Sequence, residues 1–245
     1  MLAFVVGLTL GVVFSLLGAG GGILAVPALM IVFSESMTVA TGAGLAVVFA
    51  AAVAGSIAHG RAKRVDWRVA GLFGAPSIVG AIAGARLHVL VPERVTMGLF
   101  AFVLLVAVAS MLRKRREGTG APGSTLLLLG VGLATGVLTG FLGVGGGFLI
   151  VPALTVLAAV PLHRAIGTSM AVIAASSLSG AITHLAAGHA PLALVGPMAA
   201  GAVIGALLGA PLSARLPERP LKLGFAVLAV IVASGMAMAA AGLLG

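Results

Sequence analysis

The sequence predicts an all-α, polytopic membrane protein made of two homologous repeats, and three observations predict it. Of the 245 residues, 61% are hydrophobic and only 8% are charged, too little charge to cover a soluble domain of this length. Apolar runs longer than about 18 residues, enough for a helix to cross a bilayer, follow one another from end to end. A ten-residue stretch also returns: Gly18-Ala19-Gly20-Gly21-Gly22-Ile23-Leu24-Ala25-Val26-Pro27 recurs as Gly143-Val144-Gly145-Gly146-Gly147-Phe148-Leu149-Ile150-Val151-Pro152, 125 residues on. The apolar runs are continuous rather than alternating, which excludes a transmembrane β-barrel.

Composition removes several functions. The chain has no cysteine, so disulfides, zinc–thiolate sites, iron–sulfur clusters and thiol catalysis are excluded. Fourteen Lys/Arg against five Asp/Glu give a net charge of +9. Most of these charges lie between apolar runs, where they set topology rather than bind nucleic acid. The N-terminus lacks a basic segment and a small-residue cleavage site, so Met1 onward reads as mature chain rather than signal peptide.

In chain order, the first apolar run covers about residues 2–33 and is interrupted at Gly18–Gly22. Ser34-Glu35-Ser36 leads to a second run at about 38–58, and His59 to Arg68 form a basic loop in which Trp67, the only tryptophan, suits an interfacial anchor. A third run at about 69–91 ends at Pro92-Glu93-Arg94, and a fourth fills about 95–112. The first repeat is thus residues 1–112, a hydrophilic linker spans 113–124, and the second repeat is 125–245. One offset of 125 also matches Gly55 with Gly180, His59 with His184, Gly80/Gly84 with Gly205/Gly209, Pro92-Glu93-Arg94 with Pro217-Glu218-Arg219, and Phe100 with Phe225. Composition bias supplies stray Gly and Ala matches, but not His, Pro-Glu-Arg and Gly-Gly-Gly at one spacing.

The repeats are parallel or inverted according to how often each crosses. If residues 2–33 cross once, each repeat has four spans and the repeats are parallel. Arg61, Lys63, Arg64, Arg68, Arg113, Lys114, Arg115 and Arg116 then face Arg86, Arg94, Arg164, Arg215, Arg219 and Lys222 across the bilayer, a weak asymmetry. If each Gly-Gly-Gly run is the tip of a re-entrant hairpin, each repeat is a hairpin plus three transmembrane helices and the repeats are inverted. All the basic residues but Arg86 and Arg94 then share one side, which the positive-inside rule favours, with the linker cytoplasmic. The roughly 16 residues before the glycines and 11 after them fit two short helices better than one straight span.

Three adjacent glycines are poor helix formers, and irregular backbone at membrane depth persists only where protein or a wet cavity satisfies it. Helices starting near Gly22 and Gly147 would aim unpaired N–H groups and a positive dipole end at one central point. A small anion can approach a backbone without Cβ atoms, so Gly20, Gly21, Gly22, Gly145, Gly146 and Gly147, with Pro27 and Pro152 following, form a candidate anion site. Broken helices at matching positions of two repeats are a pointer to a transporter's substrate site. The same glycines also make small-xxx-small packing pairs, and packing is the better reading for Gly80/Gly84, Gly132/Gly136/Gly140 and Gly201/Gly205/Gly209.

Thr41, Thr168 and Ser169 lie early in the run after each hairpin and could donate neutral hydrogen bonds to an oxyanion; Ser56, Ser176, Ser177 and Ser179 lie further along. Such hydroxyls also bond their own helix. The repeat partners His59 and His184 are candidate gate or proton-handling groups, although an interfacial histidine explains them as well. All five acidic residues (Glu35, Asp66, Glu93, Glu117, Glu218) fall in predicted loops, so no carboxylate serves a mid-membrane relay. Arg86 reads as snorkelling to the outer interface. There is no P-loop, no metal-ligand spacing and no catalytic constellation, so an enzyme is not expected, nor is a cofactor.

The duplicated Gly-x-Gly-Gly-Gly-x-x-x-x-Pro, early in each repeat, resembles the TauE/SafE sulfite exporter family, the TSUP (4-toluene sulfonate uptake) permeases, over about residues 4–240. The resemblance implies a secondary transporter of a small sulfur-containing anion, such as sulfite or an organosulfonate, in the cell (inner) membrane. It implies roles for Gly20–Gly22, Pro27, Gly145–Gly147 and Pro152 by position. A passive anion channel of the same fold is the alternative. The expected partners are the anion and the lipid bilayer, without nucleic acid; the small-xxx-small faces permit a homodimer without requiring one.

Overall fold

The computed structural model describes residues 1–18, 20–88, 91–112, 124–142, 147–186 and 190–240. Among the described residues ten helices follow in order: α1 (Leu2–Leu17), α2 (Gly20–Phe33), α3 (Met37–Arg61), α4 (Trp67–His88), α5 (Glu93–Leu112), α6 (Thr125–Leu142), α7 (Gly147–Pro152), α8 (Leu162–Ala186), α9 (Leu192–Arg215) and α10 (Glu218–Ala240). A π-helical turn, Ala153–Leu157, continues α7. Among the described residues there is no strand. Four helices among the described residues are apolar and long enough to cross a membrane, over Val39–Arg61, Trp67–Gly84, Leu192–Arg215 and Glu218–Met238. Of the segment read as a linker, only Ser124 is among the described residues.

The elements obey the sequence offset. Shifting α3 by 125 residues gives both ends of α8, and α5 shifted begins where α10 begins. The turns match too: Ser34 (φ 54°) and Ala159 (φ 57°) are both left-handed residues. Glu35 N–H donates to Leu29 O (3.3 Å), as Val160 N–H does to Leu154 O (2.9 Å), so both return helices end in the same way.

Two glycine seams hold the repeats together. A Cβ on Gly7 or Gly11 of α1 would fall on the Met198 or Ala202 carbonyl of α9, and one on Gly205 would fall on Leu8 O. The second seam repeats these contacts 125 residues away: Gly132 and Gly136 of α6 meet Phe73 O and Ser77 O of α4, and Gly80 meets Leu133 O. Residue numbers rise together along both seams, so α1 runs parallel to α9 and α4 parallel to α6. In lipid there is little hydrophobic drive between helices, and close backbone approach through glycine replaces it. Of the glycines read from sequence as packing residues, Gly80, Gly84, Gly132, Gly136, Gly201, Gly205 and Gly209 do this work, joined by Gly7 and Gly11.

Helix directions follow from further contacts. A Cβ on Gly55 of α3 would lie 3.0 Å from Met170 Sδ of α8, whereas one on Gly167 would lie 3.1 Å from His59 Cβ. Numbers rise on one helix as they fall on the other, so the repeat partners α3 and α8 run antiparallel. Along α4 and α8 they rise together, from Asp66 N at 3.0 Å from Thr168 Oγ1 to Gly74, where a Cβ would sit 3.7 Å from Val172 Cγ2. The α3–α4 loop therefore meets the start of α8, and His163 Nε2 lies 3.1 Å from Leu216 O in the α9–α10 loop. Arg61, Lys63, Arg64, Arg164 and Arg215 thus belong to one end of the bundle.

A leucine at Gly11 or Gly136 should drive its seam apart and lower stability by about 1–3 kcal/mol or more. A leucine at Gly130 or Gly196, where nothing lies within 4 Å of the Cβ position, should stay within about 0.5 kcal/mol of the parent. Thermal unfolding of the detergent-solubilised variants separates the two pairs.

Candidate functional site

The first hairpin turns at Gly18. This residue ends α1 in the left-handed conformation (φ 69°), and its N–H donates to Phe14 O at 2.7 Å. The break falls two residues before the triple glycine, because a left-handed residue just past a helix end is what glycine supplies most cheaply. Gly20, Gly21 and Gly22 form the first turn of α2, so theirs are the N–H groups that find no partner within the helix. The return is tight: Leu10 and Phe14 of α1 and Ala25 of α2 line one small cavity. A straight continuation would separate Phe14 from Ala25 by about 16 Å.

The tip is seated on the other repeat. A Cβ on Gly18 would lie 2.8 Å from Ile166 Cα, 2.9 Å from Ser169 Oγ and 3.0 Å from Val151 Cγ2. The two hairpins therefore touch, α2 packing on α7. Ile23, Leu149, Val151 and Ile166 join Phe100 and Phe225 in one buried cluster, so α5 and α10 close over the hairpins.

The end of α1 is satisfied by side chains from three other helices. Ser169 Oγ of α8, fully buried, lies 2.8 Å from Gly18 O and 2.7 Å from Ile166 O, its single proton shared between them. Ser213 Oγ of α9 donates to Leu16 O at 3.2 Å. His59 Nε2 of α3 lies 3.3 Å from Ser15 O and 3.4 Å from Ser15 Oγ. The carbonyl can only accept, so Nε2 carries the proton and Nδ1 keeps its lone pair. That Nδ1 is buried without a hydrogen-bond partner among the described residues.

The remaining sequence candidates are more scattered. Thr168 is fully buried, its Oγ1 accepting from Asp66 N–H while Asp66 Oδ1 accepts from Val69 N–H (3.0 Å each), which ties the α3–α4 loop to α8. Thr41 is half-buried in the second turn of α3. Ser56 and Ser177 bond carbonyls of their own helices, Ala52 O at 2.7 Å and Ile173 O at 2.6 Å. Pro27 and Pro152 lie inside α2 and α7, each removing the N–H that would pair with the carbonyl four residues earlier. Gly147 opens α7 and is buried, whereas Gly145 and Gly146 lie outside the described residues. His184 takes on α8 the place of His59 on α3; its side chain lies outside the described residues.

Ser15 and Ser213 were not singled out from sequence. Each is an isolated hydroxyl in an apolar run, and its role depends on a partner 44 or 197 residues away. The two serines have no serine counterparts in the other repeat, since Gly44 stands at the position of Ser169 and His88 at that of Ser213. Removing the Ser169 hydroxyl with Ser169→Ala leaves the Gly18 carbonyl buried without that donor, at a cost of about 1–3 kcal/mol. The expected result is a lower unfolding midpoint in detergent; an unchanged midpoint contradicts it.

Comparison with known proteins places this architecture. Residues 3–236 match the family described as Sulfite exporter TauE/SafE. The chain is 28% identical to the probable membrane transporter protein YunE of Bacillus subtilis, over 93% of each chain. It is 31% identical to a probable membrane transporter protein of Xylella fastidiosa, over 84% of this chain and 82% of the relative. A probable membrane transporter protein of Methanocaldococcus jannaschii is also 31% identical, over 76% of this chain and 72% of the relative. These relatives are transporters rather than enzymes, and the apolar spans make the chain a multi-pass membrane protein. The chain belongs to the TauE/SafE family of membrane transporters.

Proposed function

We propose that this transporter carries a small sulfur-containing anion, sulfite or an organosulfonate, across the cell (inner) membrane by alternating access between two inverted repeats, residues 1–112 and 125–245. The observation that carries the reading is the first hairpin. Its return helix opens on three glycines, so its first N–H groups and positive dipole end carry no Cβ of their own to hold a ligand off. Gly20, Gly21 and Gly22 hold the anion, with Gly145, Gly146 and Gly147 as their repeat partners. Pro27 and Pro152 define the two return helices. Thr41, Thr168 and Ser169 line or support the site, and His59 and His184 serve as gate or proton-handling groups. The sulfur chemistry is taken from the family's description as sulfite exporters.

The inverted arrangement is supported by the antiparallel run of α3 and α8 and by the basic loops that share one end, read as cytoplasmic. Because the chain lacks cysteine, single-cysteine variants test this cleanly. Lys63→Cys and Arg215→Cys should be labelled by an impermeant maleimide from the cytoplasmic side only, and Pro92→Cys and Pro191→Cys from the opposite side only. Labelling of Lys63→Cys and Arg215→Cys from different sides contradicts inversion.

The site itself is tested by Gly21→Leu and Gly146→Leu. Each should lower sulfite flux in proteoliposomes about tenfold or more, since one hydrogen bond to a charged group contributes about 1.5–3 kcal/mol. Extraction and elution behaviour should not change. Unchanged flux in both variants contradicts the hairpin site, and flux that never concentrates the anion under any ion gradient favours a passive channel.

A further inference from the structure

His59 is the only titratable side chain buried among the described residues, 1% exposed. Every described Lys and Arg lies within two turns of a helix end or beyond it, none is buried, and no described carboxylate is buried. The ring sits where the hairpin ends, bonded through Nε2 to the carbonyl of Ser15, three residues before Gly18. The base of the side chain packs against α8: a Cβ on Gly167 would lie 3.1 Å from His59 Cβ and 2.6 Å from Arg64 O. The nearest other titratable or charged groups are Arg64 and His163, with Asp66 in the same loop already accepting from Val69 N–H. Buried polar side-chain atoms are nearly always hydrogen-bonded, yet the buried Nδ1 has no partner among the described residues.

We propose that His59 carries the coupling proton, its vacant Nδ1 taking up one proton for each anion bound at the hairpin. The inference rests on the anion-site reading above and adds the coupling ion. Nδ1 gains a proton from water on the side to which the site is open, giving an imidazolium that keeps Nε2–H on Ser15 O. The proton leaves to water on the other side when the anion does. An isolated imidazolium and an isolated anion are each costly to bury, and together a monovalent anion and the imidazolium are neutral, so each binding event favours the other. The Ser15 bond transmits the change, because it joins the titrating ring to the helix end that carries the tip.

The experiment uses the full chain in proteoliposomes with methanesulfonate, whose charge does not change across the pH range used, and a trapped pH indicator. Wild-type protein should move one proton with each anion, so that a one-unit pH gradient drives about tenfold accumulation. His59→Gln keeps a donor near the position of Nε2, and so the Ser15 bond, but has no titrating nitrogen. It should equilibrate methanesulfonate with no accumulation and no proton movement. His59→Asn, which loses the Ser15 contact, should lower thermal stability as well. Proton-coupled accumulation by His59→Gln overturns the proposal. So does wild-type methanesulfonate flux without proton movement, whether or not the variant folds. Failure of the wild type to move either methanesulfonate or sulfite overturns the anion reading, and this proposal with it.

Discussion

The broken end of α1 depends on one constraint: carbonyls that a helix terminus leaves unpaired must find donors away from water. Phe14 O takes the N–H of Gly18, Ser15 O takes His59, Leu16 O takes Ser213 and Gly18 O takes Ser169. In a bilayer each unsatisfied carbonyl costs several kcal/mol, so these donors decide whether a hairpin can exist there at all. Ser169 and Ser213 come from the second repeat, which makes the first repeat's irregular segment a property of the whole chain. At the other end of the break stands the first turn of α2, whose N–H groups have no partner within their own helix.

The caps reach their targets because the glycine seams place the helices. α1 lies directly on the backbone of α9, which brings Ser213 to Leu16, and α4 lies on α6 through the same residue pairs shifted by 125. The seams give the two repeats a common frame in which α3 and α8 cross antiparallel at the centre. The side chains within that frame are free to differ. Ser169 faces Gly18, whereas its repeat partner Gly44 lies against Ala25, Val26 and Leu29. The duplication supplies the architecture, and single substitutions between the copies supply the polar chemistry.

Much of this was legible in the chain. The helices were set by apolar runs and by turn residues, as at Pro92-Glu93-Arg94 and Pro217-Glu218-Arg219, whose glutamates open α5 and α10. The packing glycines followed from four-residue spacing. The position of the break was less legible, because Gly18 and Gly20 to Gly22 look alike in sequence, and only the left-handed φ of Gly18 separates a helix stop from a helix start. The π-helical turn after Pro152 had no signal, since Pro27 precedes a regular helix. Ser15 and Ser213 had none either, because a hydroxyl that caps a distant carbonyl resembles one that bonds its own helix, as Ser56 and Ser177 do.

The central claim is that backbone N–H groups at the start of α2 hold the transported anion. Hydrogen–deuterium exchange at the amides of Gly20, Gly21 and Gly22, followed in lipid nanodiscs with and without sulfite, tests it most directly. The account predicts slower exchange at these amides on adding sulfite, saturating over the concentration range in which transport saturates. Unchanged exchange there, under conditions in which the same preparation transports sulfite, would contradict it.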